Sequence, residues 1–138
     1  MLDSILITNL KKIKVEGGDV LHAMKENDYG FSGFGEAYFS WVSSHTIKAW
    51  KRHTKMTLNL IVPVGKVKFV FHCSENNSFR KEEIGEEYYS RITVPPGIWF
   101  GFQGLESKKS LVMNIANIPH DSKEVERMQL SEIDYNWS

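Results

Sequence analysis

The sequence predicts an all-β fold, a small barrel or jelly roll with one short helix near the C terminus. Three observations carry this. Runs of about 5–8 β-branched or aromatic residues recur along the chain, separated by turn residues at short intervals. No long stretch has the 3.6-residue apolar period of an amphipathic helix. Eight or more short strands in 138 residues must close on themselves or pair as two sheets, because open edges invite aggregation.

The strands are read, in order, at Leu2–Thr8, Val20–Met24, Glu36–Val42, Thr46–Trp50, Thr57–Val62, Lys66–His72, Tyr88–Val94 and Leu111–Asn117. Each is a β-branched or aromatic run bounded by polar or glycine-containing segments. Glu16–Asp19 and Asn27–Gly35 read as loops. Ser74–Glu87 reads as a long, charged loop and the most mobile segment. Pro63-Val64-Gly65 has the chemistry of a tight hairpin: a fixed φ, then a residue free to take positive φ. In Val94-Pro95-Pro96-Gly97, Pro96 and Gly97 suit the centre of a type II turn. After Pro119, Asp121 can cap a helix and Glu124 can reach back to it, so Ser122–Met128 is expected to form about two turns. No repeat, low-complexity tract or composition shift marks a second domain, so residues 1–138 are read as one.

Seventeen basic and seventeen acidic side chains balance. A neutral chain lacks the basic surplus that displaces counterions from nucleic acid or anchors a protein to anionic lipid. The early apolar run Ile5–Leu10 is followed, not preceded, by Lys11 and Lys12, the reverse of a signal peptide, and no window has the length of a membrane helix. A single cysteine, Cys73, allows no intrachain disulfide or thiolate metal cluster. These features together predict a cytoplasmic protein.

The segment from Thr46 to Gly65 is richest in chemistry. If Thr46–His53 is extended, Ile47, Ala49, Lys51 and His53 share one face, and the apolar pair makes that face the inward one. Lys51 and His53 then point into the barrel mouth, where desolvation draws a lysine toward the range of a general base. If the strand ends by Lys51, both are solvated loop residues. Asn59 and Asn114 interrupt apolar strands, and each amide either ties two strands together or meets a polar ligand. Glu36, Tyr38 and Ser40 form the polar face of their strand, opposite Ala37, Phe39 and Trp41, and face either solvent or a pocket. Of four tryptophans, Trp99 is the candidate for a pocket wall. His22 and His72 are read within strands, and His45 and His120 in turns, none with a partner at ligand spacing. Cys73 points away from its neighbour His72, which argues against thiol catalysis.

The runs Phe34–Gly65, Val94-Pro95-Pro96-Gly97-Ile98-Trp99-Phe100-Gly101-Phe102, Asn117-Ile118-Pro119-His120-Asp121 and Tyr135-Asn136-Trp137 resemble a short branch of the dTDP-4-dehydrorhamnose 3,5-epimerase family. The resemblance covers nearly the whole chain. It implies a cupin jelly roll, a homodimer with exchanged strands, and metal-free action on 4-keto-6-deoxy nucleotide sugars. Related nucleotide-sugar 3,4-ketoisomerases share the fold and a His-x-His pair. By this resemblance the family's diphosphate arginine falls on Lys48, and two residues lining its nucleotide pocket fall on Glu36 and Tyr38. Its catalytic histidine falls on Lys51, so only His53 of the pair remains. Its acidic tyrosine falls near Met113 and Asn114, and its Glu-Arg-Gly loop reads Glu16-Gly17-Gly18. The four ligand positions of metal-binding cupins fall on Lys51, His53, Leu58 and Phe100, which leaves one imidazole and predicts no metal and no cofactor.

The resemblance therefore implies an epimerase or ketoisomerase of surface-polysaccharide synthesis. Lys51 or His53 would be the base and the other would steady the enolate. Lys48 would hold the diphosphate, with Tyr38, Asn59 and Asn114 orienting the sugar or donating a proton. Two rivals stand beside it: a binding cupin, acting as sensor or partner subunit, that has lost the family base, and an isomerase or lyase on another small carbonyl compound. Global neutrality excludes large polyanions but not this ligand, because Lys48, Lys51, Arg52 and His53 cluster within a few residues.

Overall fold

The computed structural model describes residues 1–138. Twelve strands occur: β1 Leu6–Asn9, β2 Lys12–Ile13, β3 Val20–Leu21, β4 Glu36–Val42, β5 Ile47–His53, β6 Leu58–Val64, β7 Lys66–Cys73, β8 Ser78–Gly85, β9 Ser90–Val94, β10 Trp99–Gly104, β11 Ser110–Ala116 and β12 Val125–Arg127. Ten of them form two five-stranded antiparallel sheets, ordered β1-β9-β6-β11-β4 and β12-β5-β10-β7-β8, and β2 with β3 makes a separate ribbon. This is the predicted all-β jelly roll. Between the sheets, alternate side chains of both form the main core, including Leu58, Leu60, Val62, Val67, Phe69, Phe71, Ile92, Phe100 and Val112.

Several elements depart from the sequence reading. Pro63-Val64-Gly65 does not make a hairpin: β6 lies in the first sheet and β7 in the second, so the turn is a corner between them. Gly65 has φ +86° there, and a Cβ at that position would stand 2.2 Å from the Ser110 hydroxyl. Ser74–Glu87 is not a long loop, because Ser78–Gly85 pairs with β7 along its whole length. Its charges fit an edge strand, where Arg80–Glu82 and Lys66–Glu83 ion pairs decorate the rim and discourage further strand pairing. The predicted helix at Ser122–Met128 is absent. Asp121 accepts the Lys123 backbone N–H at 2.9 Å, but the chain then extends as β12 along β5. Helical backbone is confined to 3-10 turns at Leu2–Ser4 and Leu130–Glu132. Trp99–Gly104, which the sequence reading did not mark as a strand, lies at the centre of the second sheet. His22 follows β3 rather than lying within a strand.

Each sheet carries a second apolar layer outside. On the first, Ile61, Tyr89 and Ile115 are covered by Leu10, Ala23 and Met24. The fully buried Arg91 fastens that covering segment, donating to the carbonyls of Ala23 at 2.7 Å and Tyr29 at 3.2 Å. On the second, Trp50, Val70 and Trp99 are covered by Ile133 and Trp137 of the C-terminal tail.

Candidate active site

A cavity of about 410 Å³ opens at one end of the sandwich. Leu58, Leu60, Phe100, Phe102 and Val112 form its apolar wall, and its polar lining comes from Tyr38, Ser40, Lys48, Lys51, His53, Asn114 and Arg127. Strand β5 reaches to His53, so Lys51 and His53 belong to a strand and not to a solvated loop.

The inward face of β5 is not the one simple alternation predicts. Across from β10, Phe100 pairs with Lys51 but Gly101 pairs with Ala49, so the register slips at Trp50. Before the slip Lys48 borders the cavity, while Ile47 packs with the outer cluster around Trp50 and Ala49 touches both. After it Lys51 and His53 are the cavity residues. The slip thus brings three polar side chains of one strand to one mouth. Gly101 permits the close approach, because a Cβ on it would lie 2.4 Å from that of Ala49.

The sequence reading missed two contributors, both on the segment expected to be helical. Glu124, 2% exposed, accepts a hydrogen bond at 2.6 Å from Nδ1 of His53, itself 7% exposed. The same carboxylate accepts the Met56 backbone N–H at 2.9 Å. Burial alone would raise the Glu124 pKa, but the hydrogen bonds from His53 and the backbone outweigh it, and the carboxyl is held below its ordinary value. Burial is also the main reason His53 titrates below its ordinary 6.5, with the Glu124 bond opposing and the Lys51 and Arg127 charges assisting. The neutral ring donates through Nδ1, which leaves Nε2 as an unprotonated base. The second missed residue, Arg127, pairs with Lys51 across the β5–β12 ladder and lines the mouth.

Lys48, Lys51 and Arg127 form no ion pair with any acidic side chain. Lys51 is held below its ordinary pKa first by burial and then by the charges of Arg127 and Lys48, with Glu124 opposing. Three cations without an ion-pair partner give the mouth a local excess of positive charge, and the Lys48 ammonium is positioned by the Trp41 carbonyl at 3.0 Å. On the cavity's other sheet, Asn114 sits opposite Tyr38 in the β4–β11 ladder and donates to its phenol oxygen at 3.2 Å.

Three of the expected binding residues lie elsewhere. Asn59 is an internal tie: it accepts from Thr93 Oγ1 at 2.6 Å and donates to the Gly30 carbonyl. Trp99 faces away from the cavity, in the outer cluster, with the Arg52 guanidinium 4.7 Å from its ring centre. Glu36 shares the Tyr38 face of β4 but stands at the far end of the strand, outside the cavity lining. No three His, Cys, Asp or Glu side chains converge as a metal-binding group would require. No helix is long and apolar enough to cross a membrane.

A cupin-type jelly roll, a histidine–carboxylate pair in its cavity and unpaired cations at the mouth define a cupin whose cavity sets a buried imidazole beside positive charge. Comparison with solved structures resolves the class further. A dTDP sugar isomerase from Desulfovibrio desulfuricans G20 is 34% identical, with a TM-score of 0.92 over 98% of this chain and 91% of that one. The chain belongs to the dTDP-4-dehydrorhamnose 3,5-epimerase-like and nucleotide-sugar ketoisomerase-like family of cupins. The fold also matches a dTDP-4-dehydrorhamnose 3,5-epimerase from Sulfolobus tokodaii, at 19% identity and TM-score 0.81 over 95% of this chain and 80% of the other. A third match is the sugar 3,4-ketoisomerase QdtA from Thermoanaerobacterium thermosaccharolyticum, in complex with TDP, at 18% identity and TM-score 0.78 over 96% of both chains. No protein-family model and no curated protein sequence matches the chain.

Proposed function

We propose that the protein is a metal-free isomerase, an epimerase or ketoisomerase acting on a dTDP-linked 4-keto-6-deoxyhexose or a close analogue in the making of surface polysaccharide. The observation that carries the reading is the buried His53–Glu124 pair, set in the same cavity as Lys48, Lys51 and Arg127. A 4-keto group acidifies the neighbouring C–H bonds, so one base and one stabiliser of the enolate suffice. His53 serves as the base through Nε2, with Glu124 holding the ring and stabilising the imidazolium that forms. Lys51, two residues before it on the same strand, steadies the enolate oxygen. Lys48 and Arg127 hold the diphosphate, Tyr38 faces the sugar as the cavity's phenol and returns the proton, and Asn114 orients Tyr38.

The binding-only reading is favoured by one observation, a lysine at position 51 where the family's histidine falls. One experiment separates the two. A dTDP-4-keto-6-deoxyhexose is incubated with the protein in deuterated water, and the C3 and C5 proton signals are followed by NMR. Exchange that falls by about 10²–10⁴-fold in His53→Asn supports the isomerase. Melting that is raised by dTDP, with no exchange anywhere between roughly pH 6 and pH 9, leaves a nucleotide-sugar binder.

A further inference from the structure

Strand β5 meets β12 with opposite charges on one face and like charges on the other. Away from the cavity, Arg52 pairs at 2.9 Å with Glu126, its neighbour across the ladder. On the cavity side the next ladder pair is Lys51 opposite Arg127, and a ladder holds the Cβ atoms of such a pair roughly 5 Å apart. Like charges directly opposite one another are unfavourable in a sheet. The chain supplies no direct counterion to Lys51. The Glu124 carboxylate, three residues before Arg127, is taken up by His53 at 2.6 Å and by the backbone N–H groups of Met56 and Lys55 at 2.9 and 3.4 Å. Lys48, the third cation of the mouth, differs in having an acceptor, the Trp41 carbonyl.

On its other flank Lys51 pairs with Phe100 of β10, a 5% exposed ring in the apolar wall that Leu58, Leu60 and Val112 continue. An amine set between an apolar wall and fixed cations is pushed toward its neutral form, and only that form is a nucleophile. Burial first, then the charges of Arg127 and Lys48, hold the Lys51 pKa below its ordinary value, against the pull of Glu124. His53, two residues along the same strand and in the same cavity, has its Nε2 free to take a proton.

We infer that Lys51 is a covalent catalyst: its amine condenses with the keto carbon of the substrate, and proton transfer at the neighbouring carbon runs through the resulting iminium. The inference rests on the isomerase reading for its ketone substrate. It sharpens the part Lys51 plays there, because the iminium nitrogen receives the electron pair that an enolate oxygen would otherwise carry. The neutral amine adds to the carbonyl carbon, the carbonyl π pair moves to oxygen, and that oxygen leaves as water. His53 Nε2 then removes the proton beside the iminium, the C–H pair becomes a C=C bond, and the C=N pair moves to nitrogen, giving an enamine. Return of a proton to carbon restores the iminium, and addition of water releases the ketone and the amine. The water lost in the first step is regained in the last, and ammonium plus ketone gives iminium plus water with no net proton.

The test treats the full chain with a dTDP-4-keto-6-deoxyhexose in deuterated water and follows proton exchange by NMR, while a parallel sample receives cyanoborohydride at neutral pH and is digested for mass spectrometry. Cyanoborohydride reduces an iminium to a stable amine, so the sugar nucleotide is expected on Lys51, and excess dTDP is expected to block the labelling. Lys51→Arg keeps the positive charge and cannot condense, so it is expected to lose both the adduct and the exchange. Exchange by the wild type with no adduct on Lys51 overturns the inference and leaves the isomerase reading intact, with Lys51 acting by charge alone. Exchange retained in Lys51→Arg has the same consequence. Label spread over exposed lysines such as Lys14 and Lys108, and insensitive to dTDP, counts as no adduct. A wild type with no exchange removes the isomerase reading, and the inference falls with it.

Discussion

Lys51 and His53 are tuned by the same burial, with opposite consequences for function and stability. Because desolvation holds His53 below 6.5, the base stays neutral down to mildly acidic pH, and the acid limb of the proton-exchange rate is expected below 6.5. Glu124→Gln removes the carboxylate whose hydrogen bond raises the His53 pKa, so the limb moves to still lower pH; a limb that stays in place would show that Glu124 does not act on the base. The groups that set it are Glu124, Lys51 and Arg127. Folding follows the same linkage. Below 6.5 the unfolded chain takes up a proton at His53 that the folded chain resists, so stability falls as pH drops through that point. The depressed Glu124 pKa adds a second loss below its ordinary 4.5. Lys51 has the same sign from a higher starting point: with its pKa held below 10.5, stability falls as pH drops through that value, and the half-buried cation beside two others weakens the fold at neutral pH. Lys51→Met is expected to raise the melting temperature by a few degrees while weakening dTDP binding, measured as the loss of dTDP-induced thermal shift. Lys51 and His53 were legible as candidates because two polar residues follow two apolar ones at strand spacing. Which of them is the base was not legible, because Glu124 lies 71 positions away from His53.

At the level of elements, the register slip in β5 decides what the cavity contains. Strict alternation puts Ile47, Ala49, Lys51 and His53 together, whereas the slip substitutes Lys48 for Ile47 on the cavity side. The slip depends on a glycine in the neighbouring strand, so Gly101→Val is expected to destabilise by about 2 kcal/mol in denaturant unfolding and to reduce dTDP binding with it. Unchanged binding at reduced stability would show that Lys48 and Lys51 do not need this register. The C-terminal segment teaches a different lesson. Asp121 followed by Glu124 has the local chemistry of a helix start, and the Asp121 turn does form. The helix does not, because the Glu124 carboxylate instead binds His53 and two backbone amides, those of Met56 at 2.9 Å and Lys55 at 3.4 Å. The hydrogen bonds that this carboxylate accepts from the ring and the adjoining backbone outweigh about two turns of isolated helix, which is marginal in water. Likewise Ser78–Gly85 looks like a loop by its charge, and becomes a strand because β7 offers a complete ladder.

At the scale of the whole molecule, the apolar residues that remain outside are as informative as the core. Phe39 and Trp41 are 62% and 49% exposed on β4, an edge strand, and the β2–β3 ribbon exposes Ile13, Val20 and Leu21. A second copy is the proposed cover. Sedimentation is expected to give about twice 15.9 kDa, and Trp41→Glu to shift the population toward one chain; a single chain for the unaltered protein would rule the dimer out.

The sequence by itself determined the all-β class, most strands, the positive-φ glycine at 65, and the basic segment in which the candidate site lies. Those features are local: alternation, β-branching and turn chemistry are read within a few residues. The tertiary structure decided the order of strands in two sheets, the slip that turns Lys48 inward, and the placement of Asn59 and Trp99 outside the cavity. It also decided that Glu124 and Arg127 complete the site from a segment with a helix signal. These depend on pairings between strands far apart in the chain, and hydrogen-bond satisfaction of buried groups is settled only when those partners arrive.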